Sequence, residues 1–160
     1  MRKKVSPIPK GYRTVTPVIV VKGIQDAIEF YQGCFNAELS HKFLSPDELT
    51  VVAATLKIGN SLVRVMEESL ENKILSPLSL GGAAASLHLY INDIDTLWQQ
   101  ALDSGASPVI GLQDAYWGER YGIISDPFGH HWTLAAKIEN LSKDELAART
   151  KEAFTASSGH

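Results

Sequence analysis

Apolar and polar positions along the first part of the chain predict a strand followed by a helix. Residues 14–21, TVTPVIVV, are dominated by β-branched side chains, which are typical of a strand. Pro17 cannot donate a hydrogen bond to a neighbouring strand, so we expect a free edge or a bulge there. After a turn at Gly23, apolar residues fall at helical spacing and form one stripe, made of Ile24, Ala27, Ile28 and Tyr31.

The next part of the chain predicts further strands and then a linker. Two β-rich segments, residues 51–58 and 61–66, are separated by Gly59 and Asn60, which is a short hairpin signal. Another extended segment begins near FNAEL and ends at the turn SPDE. From residue 67 to residue 85 the pattern weakens, and LSPLSLGGAAA, rich in Ser, Pro and Gly, predicts a connecting loop.

The same order of elements then returns in the second part of the chain. Residues 86–91 predict a strand, NDIDTLWQQALDSG a helix, and SPVIGL another strand. Residues 121–125 and 130–136 predict a hairpin around DPFG, where Asp, Pro and Gly occupy the positions that a type I turn favours. The segment after residue 140 predicts a peripheral helix, with Ser142 and Glu145 in a capping-box arrangement.

These two copies of strand, helix and three strands are offset by about 70 residues, since VKGIQDAIEFY parallels INDIDTLWQQA. The sequence therefore predicts an α+β fold of two tandem βαβββ modules within one structural domain. The expected segments are an N-terminal arm (1–12), module 1 (13–68), a linker loop (69–85), module 2 (86–139) and a C-terminal helix and tail (140–160).

Composition narrows the classes of function. The chain has 160 residues and a net charge of −3, so it has no large positive field for nucleic acid or an anionic membrane. No apolar segment is long enough to span a bilayer, and no signal peptide is recognisable. The single cysteine, Cys34, fits a reducing compartment and is expected to be a buried or half-buried thiol. We therefore expect a cytoplasmic protein that binds neither nucleic acid nor membrane.

Several motifs together resemble the vicinal oxygen chelate superfamily, which includes glyoxalase I, extradiol dioxygenases and bleomycin-binding proteins. They are the IEFY helix, the NDID start of the second helix and the DPFGHHW hairpin. The segments IPKGYRTVTPVIVV, SPLSLGG, SLHLY and YWGERYGIISDPFGHHWTLA resemble its PhnB-like branch, and the match covers about residues 7–140. The resemblance implies a glyoxalase-like cupped mixed β-sheet with the helices outside, and a homodimer, swapped or unswapped.

The metal enzymes of this superfamily place His or Glu at four inward strand positions. Matching the flanking motifs puts these positions on Thr16, Arg64, Ser86 and Thr133. Hydroxyls are weak ligands for divalent metals, and an arginine cation opposes metal binding. If this register is right, the usual metal site is absent, so we expect no metal cofactor. A new divalent-metal site using His88 and His131 is the disfavoured alternative, because no third His, Asp or Glu is obviously placed beside them.

Alternation along each strand predicts which other side chains share the cup with these four positions. The predicted ligand-binding residues on the strands are Thr16, Arg64, Met66, Ser86, His88, Tyr90, His131 and Thr133. His131 is expected in the cup wall and His130 in the turn near solvent, while Trp132 packs under the helices. His88 is a core histidine, a ligand contact or a general base, because its imidazole can exchange a proton near neutral pH.

Arg64 needs an anionic partner if it faces an apolar cup. The partner is either Glu67 or Glu68 in a structural salt bridge, or an anionic group on a ligand. In the AYWGERYG loop, Trp117 and Tyr121 could stack on a planar ligand, and Glu119 with Arg120 could be a surface ion pair.

Three functions remain open from the sequence. The favoured one is metal-free binding in the cup of a small apolar or aromatic molecule, with or without an anionic group, such as sequestration of an antibiotic. The second is an enzyme of the superfamily, either a metal-dependent lyase, isomerase or dioxygenase, or one with His88 as base and Arg64 stabilising an oxyanion. The third is a protein-interaction subunit with a vestigial cup.

Overall fold

The computed structural model describes residues 5–157 of the chain. The chain divides between Gly82 and Ala83 into two compact units, which we call unit 1 and unit 2. Residues 1–4 of the predicted arm and residues 158–160 of the predicted tail lie outside the described residues.

Unit 1 holds a four-stranded mixed sheet with the strand order β1-β4-β3-β2. Strand β1 runs parallel to β4, and the other pairs are antiparallel. Its elements are β1 (Val18–Val21), α1 (Ile24–Phe35), β2 (Glu38–Leu44), β3 (Val51–Ile58), β4 (Ser61–Glu67) and the short helix α2 (Pro77–Leu80).

The apolar stripe predicted for α1 forms part of the core of unit 1. Ile24, Ala27, Ile28 and Tyr31 are all buried, and so is Cys34. Alternate residues of the sheet are buried on the same side, because strand side chains point to opposite faces in turn. These residues are Ile19, Val21, Ala54, Leu56, Ile58, Val63 and Val65.

Two boundaries in unit 1 differ from the sequence-based expectation. The first strand begins at Val18, not at residue 14, because Pro17 has no N–H to donate; only its carbonyl joins the ladder, accepting from Arg64 N at 2.9 Å. The predicted loop 69–85 contains helix α2. Its start is capped by Ser76, whose hydroxyl accepts from Ser79 N, and Pro77 occupies its first turn.

Unit 2 repeats the arrangement, with a second mixed sheet of order β5-β8-β7-β6 and β5 parallel to β8. This repetition confirms the two predicted βαβββ modules. The elements are β5 (Ser86–Tyr90), α3 (Ile94–Asp103), β6 (Ser107–Asp114), β7 (Glu119–Ser125), β8 (His131–Lys137) and α4 (Lys143–Ser157).

Local signals in unit 2 are also confirmed. Gly129 N donates to Asp126 O at 3.1 Å, which closes the DPFG turn. Ser142 and Glu145 form both hydrogen bonds of the capping box before α4. Among residues 5–157, none of the helices combines the length and the apolar character that crossing a membrane needs.

Candidate functional site

The face of the first sheet opposite α1, which we call the unit 1 open face, presents Arg64 at its centre. The register places Arg64 beside Val18 on β1 and beside Thr55 on β3, and Thr55 in turn beside His41 on β2. Met66 lies on the same face, between Val20 and Ala53. An arginine is thus surrounded on this face mainly by apolar and aromatic side chains.

Two aromatic residues lie close to Arg64. Its guanidinium lies over the Phe43 ring, 5.5 Å from the centroid, in a cation–π contact. The Tyr12 hydroxyl and Thr55 Oγ1 share a hydrogen bond of 3.4 Å. That bond, with the nearby Arg64, lowers the pKa of the Tyr12 phenol below its ordinary value.

The predicted salt-bridge partners of Arg64 are engaged elsewhere, so that expectation is wrong. The Glu67 carboxylate accepts from Gly23 N and Ile24 N at the start of α1. The Glu68 carboxylate accepts from the hydroxyls of Ser76 and Ser79. Glu67 is the last residue of β4 and Glu68 follows it. Their carboxylates therefore accept from backbone N–H groups and hydroxyls of neighbouring segments and are not available to Arg64.

Thr16 does not occupy the strand position that the sequence predicted for it. It precedes β1, and its Oγ1 donates to Arg13 O at 3.3 Å, so the residue belongs to a turn. Thr16 nevertheless lines a concavity of about 440 Å³ with Pro9, Tyr12, Val18 and Arg64. The N-terminal arm therefore forms one wall beside the unit 1 open face.

The corresponding face of the second sheet, opposite α3, carries the remaining predicted strand residues. We call it the unit 2 open face. Ser86 pairs with His131, His88 with Thr133 and Tyr90 with Ala135. The neighbouring strand β7 adds Ser125, Ile123 and Tyr121 to these rows. Ser86, His88, Tyr90, Tyr121, His131 and Thr133 thus share one face.

The adjacent histidines His130 and His131 lie in different environments, as the sequence predicted. Trp132 is fully buried on the opposite side of the sheet, and its indole Nε1 donates to Asp126. His131 is half-buried on the unit 2 open face, whereas His130 lies in the turn and its backbone N–H donates to Asp126 Oδ1.

One end of the unit 2 open face carries a cluster of aromatic rings around a carboxylate. The Tyr90 hydroxyl donates to Glu119 Oε1 at 2.8 Å, and Trp117 Nε1 donates to Glu119 Oε2 at 2.9 Å. The Trp117 and Tyr121 ring centroids are 4.8 Å apart, and those of His88 and Tyr90 are 4.7 Å apart. The bond to Glu119 raises the pKa of the Tyr90 phenol.

The predicted ion pair between Glu119 and Arg120 is wrong, because successive strand residues point to opposite faces. Arg120 instead binds Asp95 at 2.8 Å and Asp114 at 2.9 Å, and both carboxylates raise its pKa. Glu119 is left on the open face with the aromatic rings.

The four positions matched to the superfamily's metal ligands present a poor donor set. In unit 1, Thr16 uses its hydroxyl in a turn, and Arg64 carries a positive charge. In unit 2, Ser86 and Thr133 offer neutral hydroxyls from different rows of the ladder. Within the described part of the chain, no three His, Cys, Asp or Glu side chains are grouped as a metal ion would need.

Sequence reasoning missed four residues that shape these faces: Tyr12, Phe43, Thr55 and Glu119. Phe43 and Thr55 could have been found, since alternation along β2 and β3 puts them on the same face as Arg64. Tyr12 lies in an irregular segment, and its contact with Thr55 joins residues that are far apart in the sequence, so no local pattern indicates it.

Comparison with known proteins gives the family context. The sequence model described as Glyoxalase/Bleomycin resistance protein/Dioxygenase superfamily matches residues 13–134. The chain is 36% identical over 137 residues to the uncharacterized protein Rv0887c of Mycobacterium tuberculosis, covering 84% of this chain and 80% of that protein. The uncharacterized protein Mb0911c of Mycobacterium bovis has the same identity, with 90% of its length covered.

Solved structures are similar in fold. The At5g48480 gene product of Arabidopsis thaliana is 25% identical with a TM-score of 0.62, covering 78% of this chain and 98% of that one. The PhnB protein of Bacillus cereus is 20% identical with a TM-score of 0.60, covering 78% and 99%. A mutant of the fosfomycin resistance protein FosX of Listeria monocytogenes, complexed with Mn(II) and 1S,2S-dihydroxypropylphosphonic acid, is 17% identical with a TM-score of 0.58, covering 84% and 94%.

Proposed function

The chain belongs to the Glyoxalase/Bleomycin resistance protein/Dioxygenase superfamily, and from this premise we propose that it binds a small anionic molecule with an apolar or aromatic body, without a metal ion. The observation that carries the proposal is the environment of Arg64. No carboxylate among residues 5–157 lies within 4.0 Å of its guanidinium. Arg64 is exposed on this face, so its N–H groups are open to an anionic group of a ligand.

The donors of Arg64 suit a carboxylate or a phosphonate. A guanidinium presents a planar set of N–H groups that can bind two oxygens of one anion at once. The Phe43 centroid lies 5.5 Å from the guanidinium carbon in a cation–π contact, which does not use the N–H groups as hydrogen-bond donors. The pKa of the Tyr12 phenol is lowered first by its hydrogen bond with Thr55 and then by the nearby Arg64, whose positive charge also favours an anion at this place.

The concavity beside Arg64 suits the body of the ligand. Its volume of about 440 Å³ is in the range of small-molecule sites. Pro9 and Val18 give it apolar walls, and Tyr12 and Thr16 add hydroxyls that could orient a polar substituent. A single aromatic ring with one anionic group matches this combination of size and chemistry.

Binding is favoured over catalysis by the surroundings of His88. A general base is normally held by a hydrogen bond to its second ring nitrogen. Among residues 5–157, the His88 imidazole contacts the Tyr90 ring, with the centroids 4.7 Å apart, and no side chain forms a hydrogen bond that would orient it. We therefore do not propose His88 as a general base.

The test measures binding of matched anionic and neutral ring compounds. Benzoate and phenylphosphonate should raise the melting temperature of the protein, whereas benzyl alcohol should not, because a ligand of the native state stabilises it by mass action. Arg64→Met should abolish the effect and Arg64→Lys should weaken it, while Arg13→Met, which removes an exposed arginine of the same unit, should leave it intact. Equal stabilisation of the Arg64→Met variant would contradict the proposal.

Metal content provides a separate test. Protein purified without a chelator or an affinity metal should contain far less than one metal ion per chain, before and after incubation with zinc, nickel, manganese or iron(II). A content near one per chain that His88→Ala or His131→Ala abolishes would show that the ligand positions are assigned wrongly and that metal-assisted chemistry deserves the next experiments.

The proposal includes a homodimer, as the family resemblance implies. Sedimentation velocity over a range of protein concentrations would report a species of twice the 17.5 kDa chain mass if this is right. A monomer at all concentrations would remove the dimer from the proposal and leave the Arg64 site to be judged by the binding experiment.

A further inference from the structure

Three aromatic rings surround one carboxylate on the unit 2 open face. We call this group the aromatic carboxylate cluster, which consists of Tyr90, Trp117, Glu119 and Tyr121. Both carboxylate oxygens of Glu119 accept from ring-bearing side chains, the Tyr90 hydroxyl and the Trp117 indole. Tyr90 is nevertheless 68% exposed, which leaves much of its ring in solvent. A large aromatic surface is thus held beside a carboxylate.

Glu119 forms no ion pair with any described residue of the chain. Within residues 5–157, no lysine, arginine or histidine nitrogen lies within 4.0 Å of its oxygens. Lys137 is its direct neighbour across the β7–β8 ladder, but the two side chains do not form an ion pair. Arg120 is engaged by Asp95 and Asp114.

We propose that the aromatic carboxylate cluster binds an organic cation, a substituted ammonium group. The polar atoms of Tyr90 and Trp117 are both used on Glu119, so at these two residues a ligand meets ring surface rather than free donors. Aromatic faces attract cations through the ring quadrupole, by about 0.5–2 kcal/mol for each contact. The carboxylate adds the opposite charge, and a weakly hydrated ammonium loses little by leaving water.

This site lies on unit 2 and does not depend on the anion site at Arg64 of unit 1. A small divalent metal ion fits it poorly, because such an ion needs several oxygen or nitrogen ligands and this cluster supplies one carboxylate. A neutral apolar ligand would use the rings but gain nothing from Glu119. The two alternatives can therefore be separated from an organic cation by experiment.

The test compares choline with 3,3-dimethyl-1-butanol, an uncharged molecule of nearly the same shape, on the full chain. Binding is followed in ¹H–¹⁵N spectra through the indole N–H signals of the three tryptophans, with that of Trp117 assigned by its loss in Trp117→Phe. Choline should shift the Trp117 signal to saturation and leave the buried Trp132 signal in place. The uncharged analogue should bind at least ten-fold more weakly.

Variants assign the charge effect to Glu119. Glu119→Gln should weaken choline binding at least ten-fold, and Glu152→Gln, which removes an equal charge from exposed α4, should not change it. Lys137→Met should tighten it. Equal affinity for the two probes, no shift of the Trp117 signal by choline, or unchanged binding in Glu119→Gln would each overturn the proposal. The two-probe comparison uses the unaltered chain, so it decides the question even if a variant does not fold.

Discussion

The indole Nε1 of Trp132 donates a hydrogen bond of 2.8 Å to Oδ2 of Asp126, and both residues are buried. The other carboxylate oxygen of Asp126 accepts from the backbone N–H groups of Phe128 and His130, each at 2.9 Å. One carboxylate therefore ties the DPFG turn to the largest side chain in the core of unit 2. This contact also fixes the turn from which β8 and its histidine start.

Replacing this carboxylate should destabilise the protein strongly. In Asp126→Asn, one of the two carboxylate oxygens becomes an NH₂ group, which cannot accept a hydrogen bond. Whichever way the amide turns, either the backbone N–H groups of the turn or the Trp132 indole then lose their acceptor while buried. We expect the free energy of unfolding to fall by about 2 kcal/mol. Urea titration should show this loss, whereas the exposed Asp103→Asn should change stability by less than about 0.5 kcal/mol. Equal midpoints for the two variants would mean that the hydrogen bonds contribute little.

Two glycines of unit 2 differ sharply in the space around them. A Cβ on Gly122 would lie 2.4 Å from Cζ3 of Trp98 and 3.1 Å from the carbonyl oxygen of Ile110, whereas a Cβ on Gly111 would meet nothing within 4 Å. Gly122→Ala should therefore lower the free energy of unfolding by about 1–3 kcal/mol through overpacking. Gly111→Ala is the control and should be neutral or slightly stabilising. Thermal unfolding of both variants checks the pair, and similar melting temperatures would show that the Trp98 ring moves aside easily.

Helix α1 is capped by a residue from a distant strand. Gly23 precedes it at a φ of 93° and has no side chain, so the Glu67 carboxylate accepts from Gly23 N and, at 2.6 Å, from Ile24 N. The negative charge also favours the positive end of the helix dipole.

Removing this cap should destabilise unit 1. We expect Glu67→Ala to lower the free energy of unfolding by about 1–2 kcal/mol, the usual range for a lost N-cap. Glu71→Ala, at an exposed position near the same strand end, is the matched control and should lie within about 0.5 kcal/mol of the original protein. If chemical denaturation gives the same stability for both variants, water replaces the carboxylate without loss.

Local patterns predicted most of the fold but only part of the candidate sites. The β3–β4 hairpin was predictable because β-branched residues flank Gly59 and Asn60, and the turn chemistry is local. The contacts of Glu67 with Ile24 and of Arg120 with Asp95 were not predictable, because each joins elements far apart in sequence. The start of β1 was missed because a β-branched segment indicates an extended chain but not where pairing begins.

The Glu68 carboxylate provides a prediction about pH. Hydrogen bonds from Ser79 and then Ser76 lower the pKa of Glu68 below its ordinary value of 4.5. A carboxyl group whose pKa is lowered by folding stabilises the native state above its unfolded pKa, and this contribution is lost as pH falls through the folded pKa. The stabilisation should therefore be present at neutral pH and absent in acid.

Ser79→Ala removes the hydroxyl that contributes most to this shift, so the variant should lose stability only where Glu68 is ionised. The difference in free energy of unfolding from the original protein should be largest near neutral pH and should shrink as pH falls through the lowered pKa of Glu68. Ser40→Ala, at an exposed position of β2, is the control and should show no such dependence on pH. Denaturant titrations at several pH values measure both curves. A Ser79→Ala deficit that stays constant down to acid pH would show that the hydroxyl acts through the cap of α2 and not through the charge of Glu68.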